Sequence, residues 1–304
     1  MAAKIVVVGS ANTDMVIKTE RLPKPGETVL GGQFATVQGG KGANQAVAAA
    51  RLGGKVTFVT RLGTDSFGRI AAAAYQTEGI NLDFLVWDDA APSGVALILV
   101  NKNGENIIAV APGANANLAP DDVLRAEPAI RKADCMLLQL EIPLPTVQTA
   151  AELARRHGVR VILNPAPAAE LSDDLYRNVD VLTPNESEAA LLAGAETDLP
   201  ASDLARKLRA LTRIPVIVLT MGDKGALTLI EQEENLTPAF EIEAIDTVAA
   251  GDAFNGGLAV ALGNGQDLPT ALRFASAAGA IAATRSGAQP SLPTLQEVKA
   301  FLAR

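Results

Sequence analysis

The 304 residues are 48% hydrophobic and 20% charged, a balance that fits a soluble globular chain with a large core and excludes disorder. The formal net charge of −8, with no run of Lys or Arg, argues against a nucleic-acid partner. With one cysteine (Cys135) and one histidine (His157), internal disulfides, cysteine zinc sites and Ser-His-Asp or Cys-His catalysis drop out, which leaves carboxylates, lysine, backbone amides or a metal.

The chain opens MAAKIVVVGS, whose apolar run before Gly9 is too short for a signal-peptide core or a membrane span. A cytoplasmic protein without a membrane partner is expected. Short β-branched runs predict strands over 4–9, 55–63, 134–140, 160–164, 179–185 and 215–222. Helical patterns fall between and after them, at 42–53, 66–78, 145–157, 201–212, 252–263 and 267–284. The strand runs do not alternate, so both faces should be covered. The β-α-β-α order predicts an α/β fold, a central and mostly parallel sheet flanked by helices. Residues 13–38 and 94–110 break the pattern, since neither holds a crossover helix, and Asn103 with Gly104 marks a hairpin turn. They read as a small β lid or as edge strands of the main sheet. Cys135 reads as a buried strand residue, and His157, before Gly158, as a helix end.

Neither common phosphate loop is present. After the first strand only Gly9 fits a dinucleotide fingerprint, and QGGKGAN holds Gly40 and Lys41 without Walker A spacing. The stretch GGKGANQAVAAARLG, 39–53, could grip a polyhydroxyl ligand through amides and Asn44, or could be a glycine turn into a tightly packed helix. The stretch DTVAAGDAFNGG, 246–257, sets Ala249, Ala250 and Gly251 before a helix starting near Asp252. Amides at a helix start lack intrahelical partners, the dipole adds positive potential, and small side chains admit an anion. An acid beside an anion hole makes sense if it deprotonates a nucleophile attacking that anion, the pairing that phosphoryl transfer needs. The alternative is that Asp252 is a helix N-cap.

Five stretches in order, namely 39–53, NPAPA at 164–168, TPNESEA at 183–189, 246–262 and TRSGAQPSLP at 284–293, resemble the ribokinase family of carbohydrate kinases (PfkB type). The resemblance spans essentially the whole chain. It implies one ribokinase-like domain over 1–304, a three-layer sandwich with lid strands inserted at about 13–38 and 94–110, and a homodimer contact through the lid. It implies ATP-dependent phosphorylation of D-ribose at the 5-hydroxyl, with Asp252 as base and Ala249, Ala250 and Gly251 as anion hole. The matching sugar contacts are Asn12, Asp14, Gly40, Lys41, Asn44 and Glu141. For ATP they are Asn185, Thr220, Gly222, Gly225, Gly251, Asn255 and Ser276, the last at a position where many family members carry His. Glu188 matches a residue acting near Mg²⁺ through water. A K⁺ activator would be held by Asp246 and Ser291 and by carbonyls of Val248, Ala282, Arg285 and Gly287. The alternatives are a kinase of the same family for another sugar or a nucleoside, and a non-catalytic sugar sensor. A nicotinamide oxidoreductase fails on the missing fingerprint.

Overall fold

The computed structural model describes residues 2–196 and 199–303. Its strands are, in order, β1 (Lys4–Val8), β2 (Asn12–Lys18), β3 (Gln33–Gly39), β4 (Lys55–Val59), β5 (Arg61–Gly63), β6 (Val86–Asp88), β7 (Gly94–Val100), β8 (Asn106–Ala111), β9 (Cys135–Leu138), β10 (Arg160–Leu163), β11 (Val181–Leu182), β12 (Val216–Thr220), β13 (Ala226–Ile230) and β14 (Glu233–Thr237). The helices are α1 (Lys41–Arg51), α2 (Ser66–Thr77), α3 (Pro120–Arg125), α4 (Glu127–Ile130), α5 (Leu144–Arg156), α6 (Asp173–Tyr176), α7 (Glu186–Leu192), α8 (Ala201–Thr212), α9 (Ala250–Gly263), α10 (Leu268–Ala283) and α11 (Leu295–Leu302).

Successive strand side chains point to opposite faces, and here both faces are apolar. On β1, Ile5 and Val7 join a buried cluster with α1, α9 and α10, while Val6 and Val8 join another with α5 and α8. Three layers result. The central sheet runs β14-β13-β12-β11-β10-β9-β1-β4. All pairs from β12 through to β4 are parallel, and β13 and β14 add an antiparallel hairpin at one edge. The mostly parallel α/β sandwich is the fold expected.

The details differ in places. The run 55–63 is two strands, β4 in the main sheet and β5 in a two-stranded sheet with β6. The run 179–185 pairs only over β11. The hairpin β13–β14 has no counterpart among the predicted strands. Its outer strand, EENLT, is polar because it is an edge, and polar edge residues discourage pairing with other chains. Cys135 is buried, which pushes its thiol up to about 12. His157 caps the C-terminus of α5, with its Nε2 2.7 Å from Glu127 Oε1. Among the described residues no helix is long and apolar enough to cross a membrane.

A second sheet, β3-β2-β7-β8, pairs only with itself, so its strands are not edges of the main sheet. Chain continuity aims it: β2 begins four residues after β1 ends. Asn12, Asp14, Val16 and Lys18 therefore share one face of β2 and line a cavity of about 1380 Å³ against the main sheet. The other face carries the exposed apolar residues Ile17, Phe34, Leu97 and Ile107.

Helices α1 and α9 come unusually close. A Cβ on Gly256 would lie 2.7 Å from Ala48 Cβ and 2.9 Å from the Ala49 amide. One turn earlier on each helix stand Asp252 and Asn44, so this glycine sets the approach of the two. Gly256→Ala should destabilise the fold by about 1–3 kcal/mol through overpacking. Urea unfolding checks this, and an unchanged midpoint would contradict the packing account.

Candidate active site

The N-termini of α1 and α9 converge on the cavity floor. Helix α9 starts at Ala250, with Ala249 as N-cap in the left-handed region at φ 60°. A non-glycine residue there is strained by on the order of 1–3 kcal/mol, and such strain concentrates at functional sites. Asp252 is therefore in the first turn and not the N-cap, which removes the bland alternative. Its side chain is buried and turns to α1: Oδ2 accepts from Asn44 Nδ2 at 2.9 Å and Oδ1 from Gln45 Nε2 at 3.0 Å.

Of the amides expected to be free, that of Ala250 is engaged, donating to Thr247 O at 3.2 Å. It closes the turn that sets Ala249 in its left-handed conformation. Ala249, Gly251 and Asp252 line the cavity, and a Cβ on Gly251 would meet no atom within 4 Å. That open space over a helix N-terminus is where an anionic group can approach.

Charges gather around this floor. Burial pushes the Asp252 carboxyl up; Lys41 and the hydrogen bonds from Asn44 and Gln45 oppose the shift, and Glu141 adds to it. Burial pulls the Lys41 ammonium down, but Asp252, Glu141 and Glu188 together outweigh that and leave it raised. Burial, then Glu141 and Asp252, raise Asp14 to about 7. Glu188 is raised by burial, against its bond from the Asn185 amide and the charge of Lys41.

The sugar-type candidates all line the cavity: Asn12, Asp14, Gly40, Lys41, Asn44 and Glu141. Glu141 Oε2 accepts from Ser10 Oγ at 2.5 Å and from the Lys41 amide at 2.9 Å, which ties β1 to the start of α1. Gly39 is glycine because a Cβ would collide with the Asp14 carboxylate. Asn12 Oδ1 accepts from Asn115 Nδ2 at 2.8 Å. Asn44 Oδ1 is buried with no partner.

On the other flank, Asn185, Glu188, Thr220, Gly251 and Asn255 also line the cavity. Asn185 and Glu188 form a capping box on α7, each side chain accepting from the other's amide at 2.8 and 2.9 Å. The NxxE spacing thus has a structural use, and Glu188 faces the site as well. Gly222 lies in an adjoining hollow of about 450 Å³ with Asn185, Thr220 and Lys224. Gly225 supports this loop from behind, where a Cβ would strike Thr237 O.

Asp246 Oδ1 accepts from the Val248 amide at 3.0 Å and Oδ2 from the Gly287 amide at 2.9 Å, joining the loop before α9 to the loop after α10. Asp246, Val248 and Gly287 border the cavity; Ala282, Arg285 and Ser291 do not, and neither does Ser276, on α10, nor Ala250. Ser291 is buried and donates to Ala288 O at 2.7 Å, and Arg285 pairs with Glu297.

Sequence reading missed Gln45, Gln139, Asn115 and Thr183. Gln45 was visible as a second amide beside Asn44 in an alanine-rich helix, and Asn164, its partner, stands in the quoted NPAPA. Asn115 follows β8 in a short 3-10 helix, Gly113–Asn117, with no local signal.

A model of the pfkB family of carbohydrate kinases matches residues 2–295. The ribokinase of Haemophilus influenzae is 43% identical over 303 residues, which cover 99% of each chain. The crystal structure of Thermotoga maritima ribokinase superposes with a TM-score of 0.91 at 39% identity, over 99% of this chain and 100% of that one. Arabidopsis thaliana ribokinase, solved with ribose and ATP, gives 0.91 at 33% identity over the full length of both.

Asp14 has a consequence for stability. Its carboxyl is raised from 3.8 to about 7, so the unfolded chain gives up this proton first. Stability should therefore fall as pH rises between those two values. Asp14→Asn should raise the urea midpoint more at pH of about 8 than at pH of about 5. Equal effects at both would contradict the raised value.

Proposed function

The chain belongs to the pfkB family of carbohydrate kinases, and we propose that it is a ribokinase that transfers the γ-phosphoryl group of ATP to the 5-hydroxyl of D-ribose. The observation that carries this reading is the Asp252 carboxylate, buried and doubly hydrogen-bonded at the N-terminus of α9, between a polar cluster and a glycine-bordered anion site.

Asp252 accepts the proton of the attacking hydroxyl. The oxygen forms its bond to phosphorus as the bond to the leaving oxygen of ADP breaks. The amides at the start of α9 and the helix dipole face the charge that develops. Burial keeps the Asp252 carboxylate a stronger base than an exposed one, while Asn44 and Gln45 keep it oriented. The sugar lies against Asn12, Asp14, Gly40, Lys41, Asn44 and Glu141; the unpartnered Asn44 Oδ1 suits a sugar hydroxyl donor.

ATP lies along Asn185, Thr220, Gly222, Gly251 and Asn255, with Gly225 shaping the loop from behind and the adenine toward Ser276. The open spaces beside Gly222 and Gly251, where a Cβ would meet nothing, fit a close backbone approach to phosphate. Glu188 fits Mg²⁺ through water, since one carboxylate beside phosphates is the usual protein share of such a site. Bound Mg²⁺ supplies neutralisation of phosphate charge. A K⁺ ion suits the all-oxygen set of Asp246, Ser291 and the carbonyls of Val248, Ala282, Arg285 and Gly287. There it would brace the 246–252 loop.

The whole chain works as one domain with the second sheet as its lid. The exposed apolar face of that lid, with Ile17, Phe34, Leu97 and Ile107, supports a homodimer through it. A cytoplasmic site of action follows from ATP as donor. A nucleoside acceptor is disfavoured, because among the described residues no aromatic side chain lines the cavity to stack a base.

Asp252→Asn should lower kcat by about 10²–10⁴ while calorimetry still detects ribose and ATP binding. Turnover near wild type would refute the base assignment. A phosphorylation panel of ribose, 2-deoxyribose, fructose and adenosine, run with Mg²⁺, should show preference for ribose. Rates should rise with K⁺ over a large organic cation. Preference for another acceptor would overturn the sugar reading and leave Asp252 in place; indifference to K⁺ would remove the cation site alone.

A further inference from the structure

Gln45 and Gln139 are fully buried, and neither lines the cavity. Burying an amide is costly unless its groups are partnered, and the residues that follow Gln45 in α1 are apolar as far as Ala50. The Gln45 amide is engaged at both ends: Nε2 donates to Asp252 Oδ1 at 3.0 Å and to Asn164 Oδ1 at 3.1 Å, and Oε1 accepts from Gln139 Nε2 at 2.5 Å. Asn164 is itself fixed, its Nδ2 donating to Thr183 O at 3.1 Å. A flipped Gln45 would set its oxygen against the two acceptors Asp252 Oδ1 and Asn164 Oδ1, so only one orientation is compatible with them; Gln139, whose own Oε1 has no partner, adds the donor that Gln45 Oε1 accepts from.

We propose that Gln45, locked in one amide orientation by Gln139 and Asn164, is a positioning residue that aims the Asp252 carboxylate at the acceptor hydroxyl. This rests on the reading of Asp252 as the base. Asn44 holds the other oxygen, but Asn44 lines the cavity and its Oδ1 is open to a substrate hydroxyl, so its side chain is in contact range of substrate. Gln45 is out of reach of substrate. Its grip on Oδ1 therefore persists through binding and release, and leaves Oδ2 as the oxygen that meets the proton.

The consequence has a sign. A donor to a carboxylate favours the ionised form, and burial opposes it. Without Gln45 the acid holds its proton to higher pH. The other charged groups felt at this site are Lys41 of α1, Asp14 of β2, Glu141 after β9 and Glu188 of α7, and none is altered by changing Gln45 or Gln139.

The test compares Gln45→Met, Gln139→Met, the double variant and Asp252→Asn in kcat, in KM for ribose and ATP, and in the pH profile of kcat/KM. Gln45→Met should cut kcat roughly ten- to a hundredfold, the loss of one hydrogen bond to a charged group. KM values should stay within about twofold, because the loss lies in the chemical step. The acidic limb of the profile should move up by about one pH unit. Gln139→Met should act in the same direction and less, and the double variant should be no worse than Gln45→Met, since Gln139 acts through Gln45. A folded Gln45→Met with wild-type kcat and limb overturns the proposal, as does a Gln139→Met effect that multiplies in full. If Gln45→Met does not fold, Gln139→Met decides alone: a raised limb supports the proposal and an unmoved one overturns it. Loss of turnover in Asp252→Asn beside an unaffected Gln45→Met sinks this inference and spares the base; turnover retained in Asp252→Asn sinks both.

Discussion

A carboxylate taken out of water must be met by donors or it will not stay charged, and the floor of this cavity is arranged around one such group, Asp252. It draws on Asn44, Gln45, the charge of Lys41 and the start of α9. Meeting those needs dictates backbone geometry well beyond the site. Helices α1 and α9 must run close enough for amides of one to reach the acid of the other, hence Gly256 against Ala48 and the alanines of α1. Ala249 must adopt a strained left-handed conformation to turn the chain into α9 at the right place.

The hydrogen bonds around Asp252 close on themselves. From Oδ1 they pass to Gln45, to Asn164 and to Thr183 O; Thr183 Oγ1 donates to Asn255 Oδ1 at 2.6 Å, and Asn255 Nδ2 returns to Gly251 O at 2.8 Å. The circuit joins α1, the ends of β10 and β11, and α9. It therefore couples the acid to the strand ends that border the Asn185 and Thr220 flank of the cavity. Ligands in open α/β sheets bind at the carboxyl ends of strands, and here those ends also supply the acid's supports.

The flank with Asn12, Asp14 and Glu141 follows a different rule. Asp14 is raised to about 7 first by its burial and then by the charges of Glu141 and Asp252 close by. Acids held at such a distance repel each other, and neutral hydroxyl groups placed among them relieve this by donating to several at once. A polyol is the natural ligand for such a cluster, and the neutral Asn12, fixed by Asn115, completes it.

The layers were legible in residues alone because strand runs such as IVVV, residues 5–8, are apolar at every position, and only a sheet covered on both sides buries them all. Asp252, with small residues before it, was legible because its chemistry needs that composition in one contiguous stretch. Tertiary structure decided the rest. The run 55–63 splits between two sheets because β4 and β5 find different partners, and periodicity carries no partner identity. The hairpin β13–β14 escaped because a polar edge strand lacks the apolar run that marks a buried one. Gln45 was read as part of a motif without a role, because what it does depends on Gln139 and Asn164, far away in the chain and adjacent only once the sheet is formed. Local sequence determines which chemical groups are available; long-range packing determines which of them meet, because hydrogen bonds form between neighbours in space.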